Sequence, residues 1–154
     1  MQKQIELIKQ TRSRFIQLVE DLSIEQLNEI PVGMSNNIAW NFGHIVAAQQ
    51  GLCNGLSGVA FNLDPDFITH FKKGAKPEGF INEETINLFK GYILSNINDL
   101  EKGLSENIFA NYKSYTTSFG NTLNDIDDAV RFVSVHDALH LGYSMAIRKN
   151  LSIK

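Results

Sequence analysis

The chain has 154 residues, 43% of them hydrophobic and 20% charged, which suffices for one domain with a real core and excludes wholesale disorder. Its net charge of −3 disfavours broad electrostatic binding to nucleic acid or to an anionic membrane, because both need clustered Lys and Arg. Cys53 is the single cysteine, the N-terminal stretch lacks the apolar run of a signal peptide, and no window approaches a membrane span, so the expectation is a cytoplasmic protein with no nucleic-acid or membrane partner.

Along the chain, residues 2–22 place Ile5, Ile8, Phe15, Val19 and Leu22 on an amphipathic helical stripe interrupted by Arg12. Ser23-Ile24-Glu25-Gln26 reads as a capping box opening a short helix to about Glu29, after which Pro31 and Gly33 break the chain. A helix over 36–57, capped by Ser35 or Asn36, is apolar nearly all round through Ile38, Trp40, Phe42, Ile45, Val46, Leu52 and Leu56. Its glycines, Gly43, Gly51 and Gly55, lower helix propensity and suit close helix–helix approach. Residues 58–82 form a long connection in which Asp64-Pro65 starts a short helix over 65–72. The stripe Ile86, Phe89, Ile93, Ile97, Leu100, Leu104 predicts a helix over 83–104 behind the cap Asn82. A second connection, 105–123, shows no convincing strand. A last helix over 124–149 has Asn124 as cap, three aspartates in its first turn, and Arg148 and Lys149 at its end, where the helix dipole prefers them.

Helices of this length and patterning predict an all-α, four-helix bundle forming a single domain over 1–154. The 58–82 connection is far longer than the roughly 2–8 residues common between bundle helices. Such a crossover can run the length of the bundle, making the second and third long helices parallel in an up–down–down–up order.

His136-Asp137-Ala138-Leu139-His140 puts two histidines at i and i+4, on one helix face, where both imidazoles reach a single metal ion. No Glu follows His136, so the metalloprotease version of this spacing is rejected. His44 sits on the similarly apolar second helix at a depth matching His140 if the two helices are antiparallel. Buried imidazoles need partners, and three neutral ones leave an open coordination position on a divalent ion. Imidazole suits zinc, nickel, copper and iron alike.

Asn37-Ile38-Ala39-Trp40-Asn41-Phe42-Gly43-His44-Ile45 and His136-Asp137-Ala138-Leu139-His140-Leu141-Gly142 together resemble the DinB-like (damage-inducible) metal-dependent superfamily. The resemblance covers essentially the whole chain. It implies the up–down–down–up bundle and a divalent ion, zinc or nickel first among the candidates, on His44, His136 and His140. It also implies a small-molecule substrate, with a low-molecular-weight thiol as cosubstrate in some branches, and homodimers in many members. Where a Gln is frequent soon after the second histidine of the last helix, this chain has Tyr143. The resulting expectation is a metal-dependent thiol transferase or hydrolase with no assigned catalytic residue. The alternative is a non-catalytic metal-binding module of the stress response.

Other side chains share or flank the histidine face. Asn37 and Asn41 precede His44 by seven and three residues, and Tyr143 and Ser144 follow His140 by three and four. Each is read as a pocket residue or, equally, as a satisfied polar group between helices. Asp137 points about 100° away from His136 and reads as helix surface. Arg12 reads as a snorkelling surface residue before an anion-binding one. Trp40 and Cys53 read as core. His70, beside Lys72-Lys73, reads as a surface histidine, with a pocket-rim role as the lesser alternative.

Overall fold

The computed structural model describes residues 1–152. Helix α1 spans Gln2–Glu20, α2 Ile24–Asn28, α3 Ile38–Gln49, α4 Pro65–Phe71, α5 Glu83–Ser105 and α6 Ile126–Lys149. Helix accounts for 64% and strand for 3%, and the fold is the all-α one that the stripes predict. No helix among the described residues is long and apolar enough to cross a membrane.

Local chemistry explains where the helices start. Ser23 and Gln26 close a reciprocal capping box at α2. Asn37 caps α3, its Oδ1 accepting from the Trp40 N–H at 2.8 Å, and Asn82 caps α5 by accepting from Thr85 N–H at 2.9 Å. Asp64 caps α4 ahead of Pro65. At α6 the cap is Asp125, accepting from Asp128 N–H at 2.8 Å, rather than the expected Asn124. Asn124 instead donates its backbone N–H to Asp128 Oδ2 at 3.1 Å, so the helix begins two residues late.

Two departures lie in the connections. The second long helix is not α-helical to residue 57: Gln50–Gly55 widens into a π-helical segment. The segment 105–123 contains a small antiparallel ladder that the sequence did not suggest, β1 (Tyr115–Thr116) against β2 (Thr122–Leu123), with Tyr115 opposite Leu123. Its turn is closed at Gly120, whose φ of +83° favours glycine. Two-residue strands are too short for an alternating pattern to be read.

The helices cross a polar layer that divides the apolar interior in two. One cluster is built around Phe15, Phe42, Phe89 and Ile93, the other around Ile8, Cys53, Ile97 and Val130. Between Ile8 and Phe15 lies Arg12, and between Val133 and Leu141 lies Asp137. Likewise Asn96 separates Ile93 from Ile97, and Gln49 and Gln50 separate Ala47 from Cys53. Read this way, α1 and α6 pass from the second cluster into the first, and α3 and α5 pass the other way. Ion pairs agree in sense: Lys9 with Glu101 and Glu20 with Lys90 across α1 and α5, Arg12 with Asp137 and Asp21 with Arg148 across α1 and α6.

Arg12 and Asp137 correct the sequence reading. Both are fully buried, at 1% and 0% exposure, and Arg12 Nε donates to Asp137 Oδ2 at 2.8 Å. Asp137 does turn away from the histidine face, but the direction it takes meets α1 rather than solvent. The rest of the layer is amide chemistry. Gln49 Nε2 donates to the Asn96 carbonyl at 2.8 Å, Gln50 Nε2 to Asn96 Oδ1 at 2.7 Å, and Asn96 Nδ2 to the Val46 carbonyl at 3.2 Å. Buried polar groups persist in an apolar interior only with such partners.

Candidate metal centre

His44 lies in the middle of α3, and His136 and His140 lie one turn apart on α6, which packs against it. Ring centroids are separated by 5.1 Å (His44–His136), 4.6 Å (His44–His140) and 4.4 Å (His136–His140). One possible ligand atom from each falls within 4.8 Å of the others. Depth on two apolar helices, inferred from counting residues, thus brings all three rings together.

Two of the rings are oriented by hydrogen bonds on their outer nitrogens. His44 Nδ1 donates to the Phe71 carbonyl at 2.6 Å. His140 Nδ1 meets Asn41 Oδ1 at 2.7 Å, while Asn41 Nδ2 donates to the Asn37 carbonyl and to Asn36 Oδ1, each at 2.7 Å. Because the Asn41 amide nitrogen is committed as a donor, its oxygen must accept, so His140 carries its proton on Nδ1. The same follows for His44, because a carbonyl only accepts. Both rings therefore offer an unprotonated Nε2, the arrangement that orients metal-ligating histidines. His136 differs: its Nδ1 is buried, has no hydrogen-bond partner among the described residues, and sits 3.9 Å from the equally unpartnered Asp137 Oδ1.

Burial lowers the His44 pKa to about 4, although the Phe71 carbonyl opposes the shift. Burial, then the charges of His136 and His44, lower His140 to about 3. Both rings are neutral near pH 7, as a metal ligand must be. Trp40 stacks flat on His44, centroids 4.7 Å apart and planes 12° from parallel, and its Nε1 donates to the His70 carbonyl at 3.2 Å.

The crossover helix α4 is thereby part of the site, through backbone atoms that no side-chain pattern announces. Gly43 makes this possible: a Cβ there would stand 2.7 Å from the Phe71 ring. The glycine expected to admit a helix admits α4. The His70 side chain itself is exposed and bonds only its own turn, through Asp66 O at 2.7 Å. Cys53 is core, and burial pushes its thiol up to about 12.

A cleft of about 680 Å³ opens over His44 and His136, between α3 with its π-helical extension, α4, the β1–β2 hairpin and α6. Ala47, Leu52, Leu56, Ile68, Phe119 and Phe132 supply most of its wall. None of Asn37, Asn41, Tyr143 and Ser144 lines it. Asn37 is the α3 cap, and its Nδ2 donates to the Asn28 carbonyl at 3.1 Å. Asn41 holds His140. The Tyr143 hydroxyl accepts from Ser35 N–H at 3.3 Å, and Ser144 is buried. For Asn37, Asn41 and Tyr143, the polar-group-between-helices alternative describes what they touch.

An all-α bundle with three converging imidazoles, two of them fixed in the ligating tautomer, defines a protein able to hold a divalent metal ion. The model of the DinB superfamily matches residues 7–144, and the chain belongs to that superfamily. Comparison with curated proteins gave no match.

Proposed function

We propose that this protein is a metal-dependent enzyme acting on a small molecule, by thiol-dependent transfer or by hydrolysis, with His44, His136 and His140 as the ligands of one divalent ion. The observation that carries this reading is that His44 and His136, two members of the three-histidine cluster, line a solvent-reachable cleft. A purely structural site would be enclosed by protein and fully coordinated. The donor set fits the group: three converging imidazoles, of which His44 and His140 are neutral and pre-oriented, leave one position open. A divalent ion held there supplies a Lewis acid that lowers the pKa of a bound water or thiol.

The chain's own residues have distinct parts in this scheme. Asn41 and the Phe71 carbonyl keep the protons of His140 and His44 on the outer nitrogens. Trp40 fixes the plane of His44. The apolar wall limits water around the reacting atoms and strengthens the electrostatics of the centre. Zinc and nickel are the first ions to test.

The experiment is metal analysis of the purified protein, followed by a panel of thiol-transfer and hydrolysis substrates before and after chelation. The expected result is about one equivalent of ion per chain and an activity that chelation abolishes and the ion restores. Failure to bind any divalent ion, or activity indifferent to chelation, would overturn the reading.

A further inference from the structure

The cleft has a charge imbalance that constrains its occupant. Among the described residues that line it, Lys72 and Lys73 are cationic and none is Asp or Glu. Asp137, the acid next to His136 in sequence, is turned into the core and committed to Arg12. Imidazole ligands do not offset the charge of a divalent ion. Anything that fills this cleft beside such an ion and two ammonium groups must bring negative charge with it.

The cations also have a definite place. Lys72 directly follows Phe71, whose carbonyl holds His44, so the lysines and the imidazoles share one end of the cleft. Lys73 Nζ donates to the Tyr115 hydroxyl at 3.3 Å and lies 5.9 Å from that ring's centre, so the hairpin positions it. The other end is apolar. Leu56 follows His44 by twelve residues, about 18 Å along the helix at α-helical rise. Phe61 folds back against Gly55, its ring 3.2 Å from where a Cβ would be. Leu52 and Ile68 lie along the way.

We infer that the cleft binds an amphiphilic carboxylate, its head group at Lys72 and Lys73 and its apolar tail along Leu52, Leu56 and Phe61. The inference rests on the reading of this cleft as the small-molecule site. It adds the substrate class: a carboxylic acid with an extended apolar body, presented with its charged end toward the histidines. A neutral hydrophobe would leave the ammonium groups facing apolar atoms, and a short polar acid would leave the far wall uncovered.

The test uses decanoate, its uncharged counterpart decanol, and acetate, titrated into the full chain by calorimetry. The protein is first stripped of metal, so that the lysines rather than an ion hold the carboxylate. Decanoate is expected to bind several-fold more tightly than decanol, and acetate not to bind measurably. The variant Lys72→Ala/Lys73→Ala should weaken decanoate roughly three- to tenfold while leaving decanol unchanged, the span expected for two solvent-facing charge contacts. Phe61→Ala should weaken both amphiphiles alike. Both lysines and Phe61 are exposed, so these variants keep the fold. Equal binding of decanoate and decanol, or decanoate affinity untouched by the double lysine variant, would overturn the inference. Zinc stoichiometry measured on the same samples separates the two claims. Zinc binding without a preference for decanoate ends the inference and leaves the metal centre standing. Lysine-dependent decanoate binding without zinc binding does the reverse.

Discussion

Two groups of polar side chains interrupt the apolar interior, and they leave their polar atoms in different states. In the layer of Arg12, Asp137, Asn96, Gln49 and Gln50, most donors and acceptors are turned on one another, with Arg12 Nη2, Gln49 Oε1 and Asp137 Oδ1 left over among the described residues. In the histidine cluster the bonds run outward, to Asn41 and to the Phe71 carbonyl, and the inner nitrogens face one another beneath a cleft. The first arrangement spends its hydrogen-bonding capacity on the fold. The second holds it in reserve. Sequence composition does not distinguish them, since both are polar residues on apolar helices; the difference lies in where the partners come from.

The largest effect expected from breaking this contrast is on stability. Arg12→Ala or Asp137→Ala leaves a buried charge uncompensated and should cost about 3–5 kcal/mol in urea unfolding. Replacing both, as Arg12→Met/Asp137→Leu, should recover most of that loss. The double variant should still bind zinc. If metal binding vanished with the ion pair, the layer would be serving the site as well as the fold.

Changes at the cluster should act the other way, on metal rather than on folding. Alanine at His44, His136 or His140 should weaken zinc binding by more than about a hundredfold, beyond the 10–100-fold typical of an outer partner, while His70→Ala leaves it unchanged. Equilibrium dialysis measures both. Asn41→Leu removes the acceptor for His140 Nδ1 and should fall within that 10–100-fold range.

A further effect is a pH dependence of the chelated protein. An unfolded histidine titrates near 6.5, whereas folded His44 and His140 do so at about 4 and about 3. As pH falls below about 6.5 the unfolded chain takes up protons that the folded chain refuses, so stability declines toward pH 4. Each kcal/mol lost should lower Tm by roughly 2–4 °C. Saturating zinc should shift the decline, since it binds only the neutral rings.

Much of this arrangement was legible beforehand because it depends on periodicity within single elements. The stripes gave the helices, and the i, i+4 spacing of His136 and His140 gave one face. His44 joined them through depth along two helices. What escaped were partners supplied by another part of the chain. Arg12 meets Asp137 across 125 residues, and nothing in either helix marks the other as its mate. Read alone, Arg12 is a flaw in a stripe and Asp137 a charge on the wrong face. Both readings assumed that solvent begins where the histidine face ends, whereas α6 is packed on two sides. The Phe71 carbonyl was invisible for a different reason: every residue has one. The π-helical turn at Gln50–Gly55 was hidden as well, because glycines in a buried helix already have a packing explanation.

The two bonds that aim the histidines also set when the site can exist. Phe71 is 27 residues from His44, and Asn41 is 99 residues from His140. During synthesis, α3 and α4 emerge before α6, so both partners of the His44–Phe71 bond are made while the other two histidines are still missing. Ligation by all three rings therefore requires the closing contact of highest sequence separation, the docking of the last helix. A bound ion would then slow the undocking of α6, because opening that contact discards two ligands at once.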